Sequence, residues 1–208
     1  MAPYASLRLP LTSALCVMNS PSSIPSEHKE WAKHMRQLVG GNTSVTAYYD
    51  EANANKIHIF SSSNSDGIVA ATVGLMEINQ SDKPGVEIYS EIIMDQRGHD
   101  ERISNVLSTI AFCVMKDCWN VAPGVVFHDV VRMYVPGTEL PHVMFTAPFQ
   151  WNTMSKLSLS AKTIYPLVAI PISEAEAKVA GANAGQDLEA IWVKQSTDVL
   201  DWGRKSAA

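Results

Sequence analysis

YPLVAIPISEAEAKVAGANAGQDLEAIWVKQSTDVLDWGR, Tyr165 to Arg204, is the stretch whose reading decides the fold. Leu167 to Ile172 is an apolar run bounded by Pro166 and carrying a second proline, Pro171, as a strand with restricted backbone donors would. Ser173 followed by Glu174 and Glu176 has the composition of a helix start. Gly181 and Gly185 interrupt that helix, and Asp187 to Gln195 resumes helical spacing. None of these residues suggests catalysis. The stretch reads as a strand handing over to a helix pair that covers a sheet.

The rest of the chain supplies that sheet. After a Ser/Pro-rich loop at Asn19 to Pro25, a helix is expected over Ser26 to Val39, with Ser23 or Ser26 as its cap and Gly40-Gly41 as its stop. Trp31, Met35 and Leu38 share one face of it. Val45 to Tyr49 and Lys56 to Ser61 read as an antiparallel pair around a polar turn. Ile68 to Met76 and Val86 to Met94 are two further expected strands. In the latter, Glu87, Tyr89 and Glu91 fall on one face by two-residue alternation. Ile103, Val106, Leu107, Ile110, Ala111 and Val114 stripe a helix over about Asp100 to Cys118. Later strands are expected at Val125 to Met133, His142 to Thr146 and Ile164 to Ile172. The pattern predicts an α+β fold, a mixed and mainly antiparallel sheet of six to eight strands with helices packed on it.

These segments carry a family resemblance. The order of apolar strand, Pro171-Ile172, Ser173-Glu174, helix, glycine, amphipathic helix and Arg204 resembles the C-terminal part of the suppressor-of-fused (SUFU) domain family. Thr72-Val-Gly-Leu-Met76 followed by Glu91-Ile-Ile-Met94 is similar to two of its strands. Val125 to Tyr134, Val135-Pro-Gly-Thr138 and His142-Val-Met-Phe145 are similar to its strand, turn and strand run. The resemblance runs from about Glu30 onward. Gln96 to Asp100 departs from it, being more polar and glycine-containing than the family's pattern before this helix. The resemblance implies a SUFU-like domain that binds protein and has no catalytic activity. It implies an immunity protein or antitoxin of the bacterial branch, or an adaptor that takes up an extended peptide by strand addition.

Composition agrees with a non-enzymatic, protein-binding role. The chain has 208 residues and is 46% hydrophobic, enough for one sizeable core, expected over residues 26–208 with 1–25 as an extension or loop. A net charge of −5 with scattered Lys and Arg argues against nucleic-acid or anionic-membrane binding. Cys16, Cys113 and Cys118 match no zinc spacing and suit a reduced, cytoplasmic chain. No apolar run reaches the roughly 18 residues of a membrane span. Leu7 to Met18 is broken by Pro10 and has Arg8 as its one cation, a poor secretory signal, and Met18 is an alternative start.

Candidate chemistry is sparse. His128-Asp129 is suggestive of an oriented imidazole, but neighbours on a strand point to opposite faces. No G-x-S-x-G elbow or P-loop lysine is present. Glu87 and Glu91, four apart on one expected strand face, would suit acid–base chemistry or a metal, or equally a basic partner; with no other catalytic signature, the partner is favoured. Phe149 and Trp151 sit in an aperiodic loop, as interface anchors do. The expected partner-binding residues are therefore Glu87, Tyr89, Glu91, Phe149 and Trp151, with no catalytic residue, metal or cofactor.

Overall fold

The computed structural model describes residues 24–81, 83–151 and 153–208. Residues 1–23, with the expected extension, Cys16, the Ser23 cap and the Met18 start, lie outside the described residues. In chain order the elements are α1 (Ser26–Val39), β1 (Asn42–Tyr49), β2 (Lys56–Ser63), β3 (Ile68–Val73), β4 (Ile92–Gln96), α2 (Arg102–Asp117), β5 (Val126–Phe127), β6 (His142–Thr146), β7 (Leu157–Ser158), β8 (Thr163–Ile164), β9 (Leu167–Ile172), α3 (Glu174–Ala180) and α4 (Gln186–Gln195).

Seven strands form one sheet in the order β1-β2-β3-β4-β9-β6-β5, and β7 pairs with β8 separately. All pairings in the large sheet are antiparallel except β4 with β9. The strand in the decisive stretch thus inserts at the sheet centre, between β4 and β6. The central strands are buried on both faces, and their composition follows: β3, β6 and β9 are buried throughout.

Strand alternation sorts the core into two layers. Ile57, Ile59, Ala70, Met94 and Phe145 face α2 through Ile103, Val106, Leu107 and Ile110. Phe60, Val69, Ile93, Met144 and Ile170 face the other helices through Trp31 and Met35 of α1, Ala177 of α3, and Leu188 and Trp192 of α4. The stripe expected on α2 is buried throughout, and on α1 Trp31 and Met35 are buried with Leu38 partly so.

Three expected strands differ in extent, and one expected helix differs in its cap. The helix α1 has its expected bounds, but its cap position is Pro25 with no side-chain cap bond, and Ser26 lies inside. The third strand stops at Val73 because Gly74, at φ 113°, turns the chain into a 3-10 turn, Leu75–Glu77. The strand expected from Val86 begins only at Ile92, because Asn79 holds the preceding residues in a loop: its Oδ1 accepts from Ile88 N at 2.9 Å and its Nδ2 donates to Val86 O at 3.1 Å. The run from Val125 to Met133 is strand only at Val126–Phe127, since Asp129 takes a left-handed φ of 62° and turns follow.

Candidate partner-binding surface

Glu91 is wholly buried. Its Oε1 accepts from Gly74 N at 2.8 Å and Met76 N at 3.2 Å, and the Thr72 hydroxyl bonds its Oε2. Thr72 Oγ1 in turn accepts from Ile92 N at 2.8 Å. The carboxyl therefore ties the end of β3 and the 3-10 turn to the start of β4. Burial outweighs these donors and pushes its pKa up to about 8. Glu87 is exposed in the preceding loop. The acidic strand face expected from a four-residue spacing does not form, because Glu87 is not on a strand and Glu91 points into the protein.

Tyr89 is half-buried at the rim between these two carboxyls. Its carbonyl accepts from Tyr165 N at 2.8 Å, and it bridges in parallel to Ile164. Lys162 Nζ lies 4.9 Å from the centre of its ring and also donates to Met76 O at 3.1 Å and Glu77 Oε2 at 3.2 Å. Burial, and then the charge of Glu87, hold the Tyr89 hydroxyl above the usual phenol range. The sequence reading missed the apolar side chains beside it: Val86, Ile88 and Tyr165 are all exposed. The alternation of Val86 and Ile88 was their signal, absorbed into an expected strand that begins only at Ile92. The same loop encloses an open concavity of about 560 Å³ between Asn79 and Glu87.

Phe149 and Trp151 part company. Phe149 is 52% exposed, whereas Trp151 is half-buried against the core layer that holds Trp31 and Met154. Between them Gln150 Nε2 donates to Asp95 Oδ2 at 2.8 Å, which fixes the loop onto β4.

The histidine geometry also differs from its expectation. His128 lies beyond β5, and its ring packs edge-on against His142 at 4.7 Å. The buried His142 shares a hydrogen bond between Nε2 and Glu174 Oε2 at 2.8 Å, and its Nδ1 accepts from Asp129 N at 2.9 Å. Among the described residues, no group of three or more His, Cys, Asp or Glu side chains could hold a metal ion. No described helix is long and apolar enough to cross a membrane.

Residues 53–205 match the family described as Suppressor of fused protein (SUFU). The chain is 33% identical over 189 residues to Immunity protein YqcF of Bacillus subtilis (strain 168), covering 88% of this chain and 98% of that one. Its fold is similar to that of a SUFU homologue from Neisseria gonorrhoeae FA 1090, with a TM-score of 0.71 and 13% identity, covering 88% and 97% of the two chains. It is also similar to a chain of the Sufu-Fu complex, with a TM-score of 0.61 and 12% identity over 87% and 92%. Against Drosophila Suppressor of Fused the TM-score is 0.52 at 13% identity, over 88% of this chain and 51% of the fly protein.

Proposed function

The chain belongs to the suppressor of fused family, and on that premise we propose that it is a non-enzymatic immunity protein that binds and neutralises a cognate protein toxin in the cytoplasm. The observation that carries this reading is the kinship with Immunity protein YqcF, which extends over 98% of that protein. The Sufu-Fu complex supports protein binding as the mode of action. A net charge of −5 suits a basic partner, because opposite charge speeds encounter, and a nuclease toxin has a basic cleft. Neither nucleic acid nor membrane is part of the reading.

Glu87, Tyr89, Phe149 and Trp151 remain the proposed contact residues, joined by Val86, Ile88 and Tyr165. Glu91 supports the loop from beneath. The test is co-expression and pull-down with a candidate toxin, sought first among the products of neighbouring genes. Rescue of growth with a stable complex supports the reading; no complex and no rescue overturns it.

One observation favours a second reading, peptide uptake by strand addition. The outer edge of β1 has no strand partner among the described residues. Its eight residues, Asn42–Tyr49, include no charge and no proline, the devices that blunt sheet edges. Val45 is 52% exposed on it. Ser44→Lys with Thr46→Lys should weaken a strand-adding partner and leave unchanged a partner held at the Tyr89 rim.

A further inference from the structure

Gln96 and Asp100, the two ends of the segment that departs from the family's pattern, line a recess of about 190 Å³. The recess opens at the C-terminal ends of β4 and β9, the one parallel pair of the large sheet, where α2 begins. Crevices at the carboxyl ends of parallel strands are where open sheets take ligands. Val135, Leu140, Pro171 and Trp202 make its apolar walls.

Its Asp100, Thr138 and Trp202 groups are engaged, whereas Gln96 Oε1 is not. The Asp100 carboxylate accepts from Arg102 Nε at 2.7 and 2.9 Å. Thr138 Oγ1 accepts from Leu140 N at 3.1 Å. Trp202 Nε1 donates to Asp95 O at 3.3 Å. Gln96 is 7% exposed, and its buried Oε1 has no hydrogen-bond partner among the described residues. Gln96 shares a strand face with Ile92 and Met94, which brings it under the same side of the sheet as Val131. A buried acceptor left unpaired is costly, so this carboxamide is poised for a donor.

The volume decides the size of what fits. Cofactor and drug-sized pockets run from about 300 to 1,000 Å³. A recess of about 190 Å³ is below that range and takes a single side chain. Because Asp100 is already neutralised by Arg102, the recess selects a neutral amide rather than a cation.

We propose that this recess is an anchor pocket for one aliphatic residue of a peptide, its side chain against Trp202 and Leu140 and a backbone amide paired with the Gln96 carboxamide. The pocket deepens the protein-binding reading, on which its biological occupant rests, but its chemistry can be tested without any partner. The probe is N-acetyl-leucinamide, titrated into the full chain while the Trp202 indole N–H and Gln96 side-chain amide signals are followed by NMR.

Saturable shifts at both groups are expected, with N-acetylglycinamide giving none. Gln96→Leu should weaken the probe about tenfold, the worth of one buried hydrogen bond. Val135→Phe, at a half-buried wall position, should abolish binding, with a thermal melt confirming that the variant is folded. No saturable shift, or equal binding to wild type and both variants, overturns the pocket and leaves a recess filled by water only. Probe binding in a chain that fails to neutralise the toxin retains the pocket and removes the immunity reading. Loss of the probe in Val135→Phe with undiminished toxin rescue overturns the pocket as the docking point.

Discussion

Arg204 grips both carboxylate oxygens of Glu176, Nη1 to Oε1 at 2.7 Å and Nη2 to Oε2 at 3.1 Å, across 28 positions of sequence. The carboxylate is also held by Trp192 Nε1 at 2.9 Å and by Ser173 N at 2.8 Å, while Arg204 Nη2 donates to Pro171 O at 3.0 Å. One ion pair thus locks the end of β9, the start of α3 and the body of α4 together. Glu176 is fully buried and Arg204 is 8% exposed, so removing either leaves a buried charge uncompensated. Arg204→Ala should lose about 3–5 kcal/mol in urea unfolding. Burial opposes ionisation of Glu176, but bonds from Arg204 and Trp192 outweigh it and hold the carboxyl below its ordinary range. Its contribution is therefore present above the unfolded carboxylate value of about 4.3 and is lost as pH falls through the lower folded value. Wild type should destabilise steeply in acid, and Arg204→Ala less so.

Glu91 has the opposite sign. Its carboxyl is raised from near 4.5 to about 8, so between those values the folded chain binds the proton that the unfolded chain has released. Stability therefore falls as pH rises through that window. Glu91→Gln keeps an acceptor for Gly74 and Met76 and removes the titration. The variant should match wild type near pH 5 and exceed it above pH 8 in chemical denaturation. Glu91→Leu should be less stable at both, because it strands two backbone donors at about 1–3 kcal/mol each.

Much of this architecture was legible in sequence, for an identifiable reason. Where burial follows a simple period, as in the stripe of α2 from Ile103 to Val114 or the apolar run of β9, pattern and structure coincide. The helix start expected at Ser173 also formed, and the structure makes it a capping box, with Glu176 N donating to Ser173 Oγ at 3.1 Å. Where a side chain competes with the ladder for backbone groups, pattern fails. Asn79 captures Ile88 N and Val86 O, so alternation from Val86 to Glu91 describes a loop, and the proposed acidic face dissolves with it. Nothing periodic marks Glu176 as the partner of Arg204 or Gln96 as the floor of a recess, since both depend on which segments the topology brings together.

Gly124 is a position where topology leaves no room. Its φ is 81°, and a Cβ there would lie 2.1 Å from the carbonyl carbon of Ala184, in the 3-10 turn that separates α3 from α4. Gly124 N also donates to Phe145 O at 2.7 Å. Neither backbone can retreat without breaking that contact or strand pairing. Gly124→Ala should cost at least about 2 kcal/mol from steric overlap and left-handed strain combined. A thermal melt within error of wild type would contradict this close approach.

The proposed contact residues divide into exposed and core-packed side chains, and this makes them testable. Phe149 is 52% exposed and Ile88 38%, so truncating either to Ala should change stability by no more than about 0.5 kcal/mol. An interface anchor costs about 2 kcal/mol or more on truncation, near thirtyfold in affinity. Ile88→Ala and Phe149→Ala should each weaken toxin binding by that order, measured by calorimetry on proteins with unchanged melting temperatures. Trp151→Ala provides the contrast: its ring packs on the core layer around Trp31, so its substitution should lower the melting temperature as well as affinity. Binding unaffected by both exposed substitutions would move the interface away from the Tyr89 rim and the Phe149 loop, leaving the uncharged edge of β1 as the surface to examine.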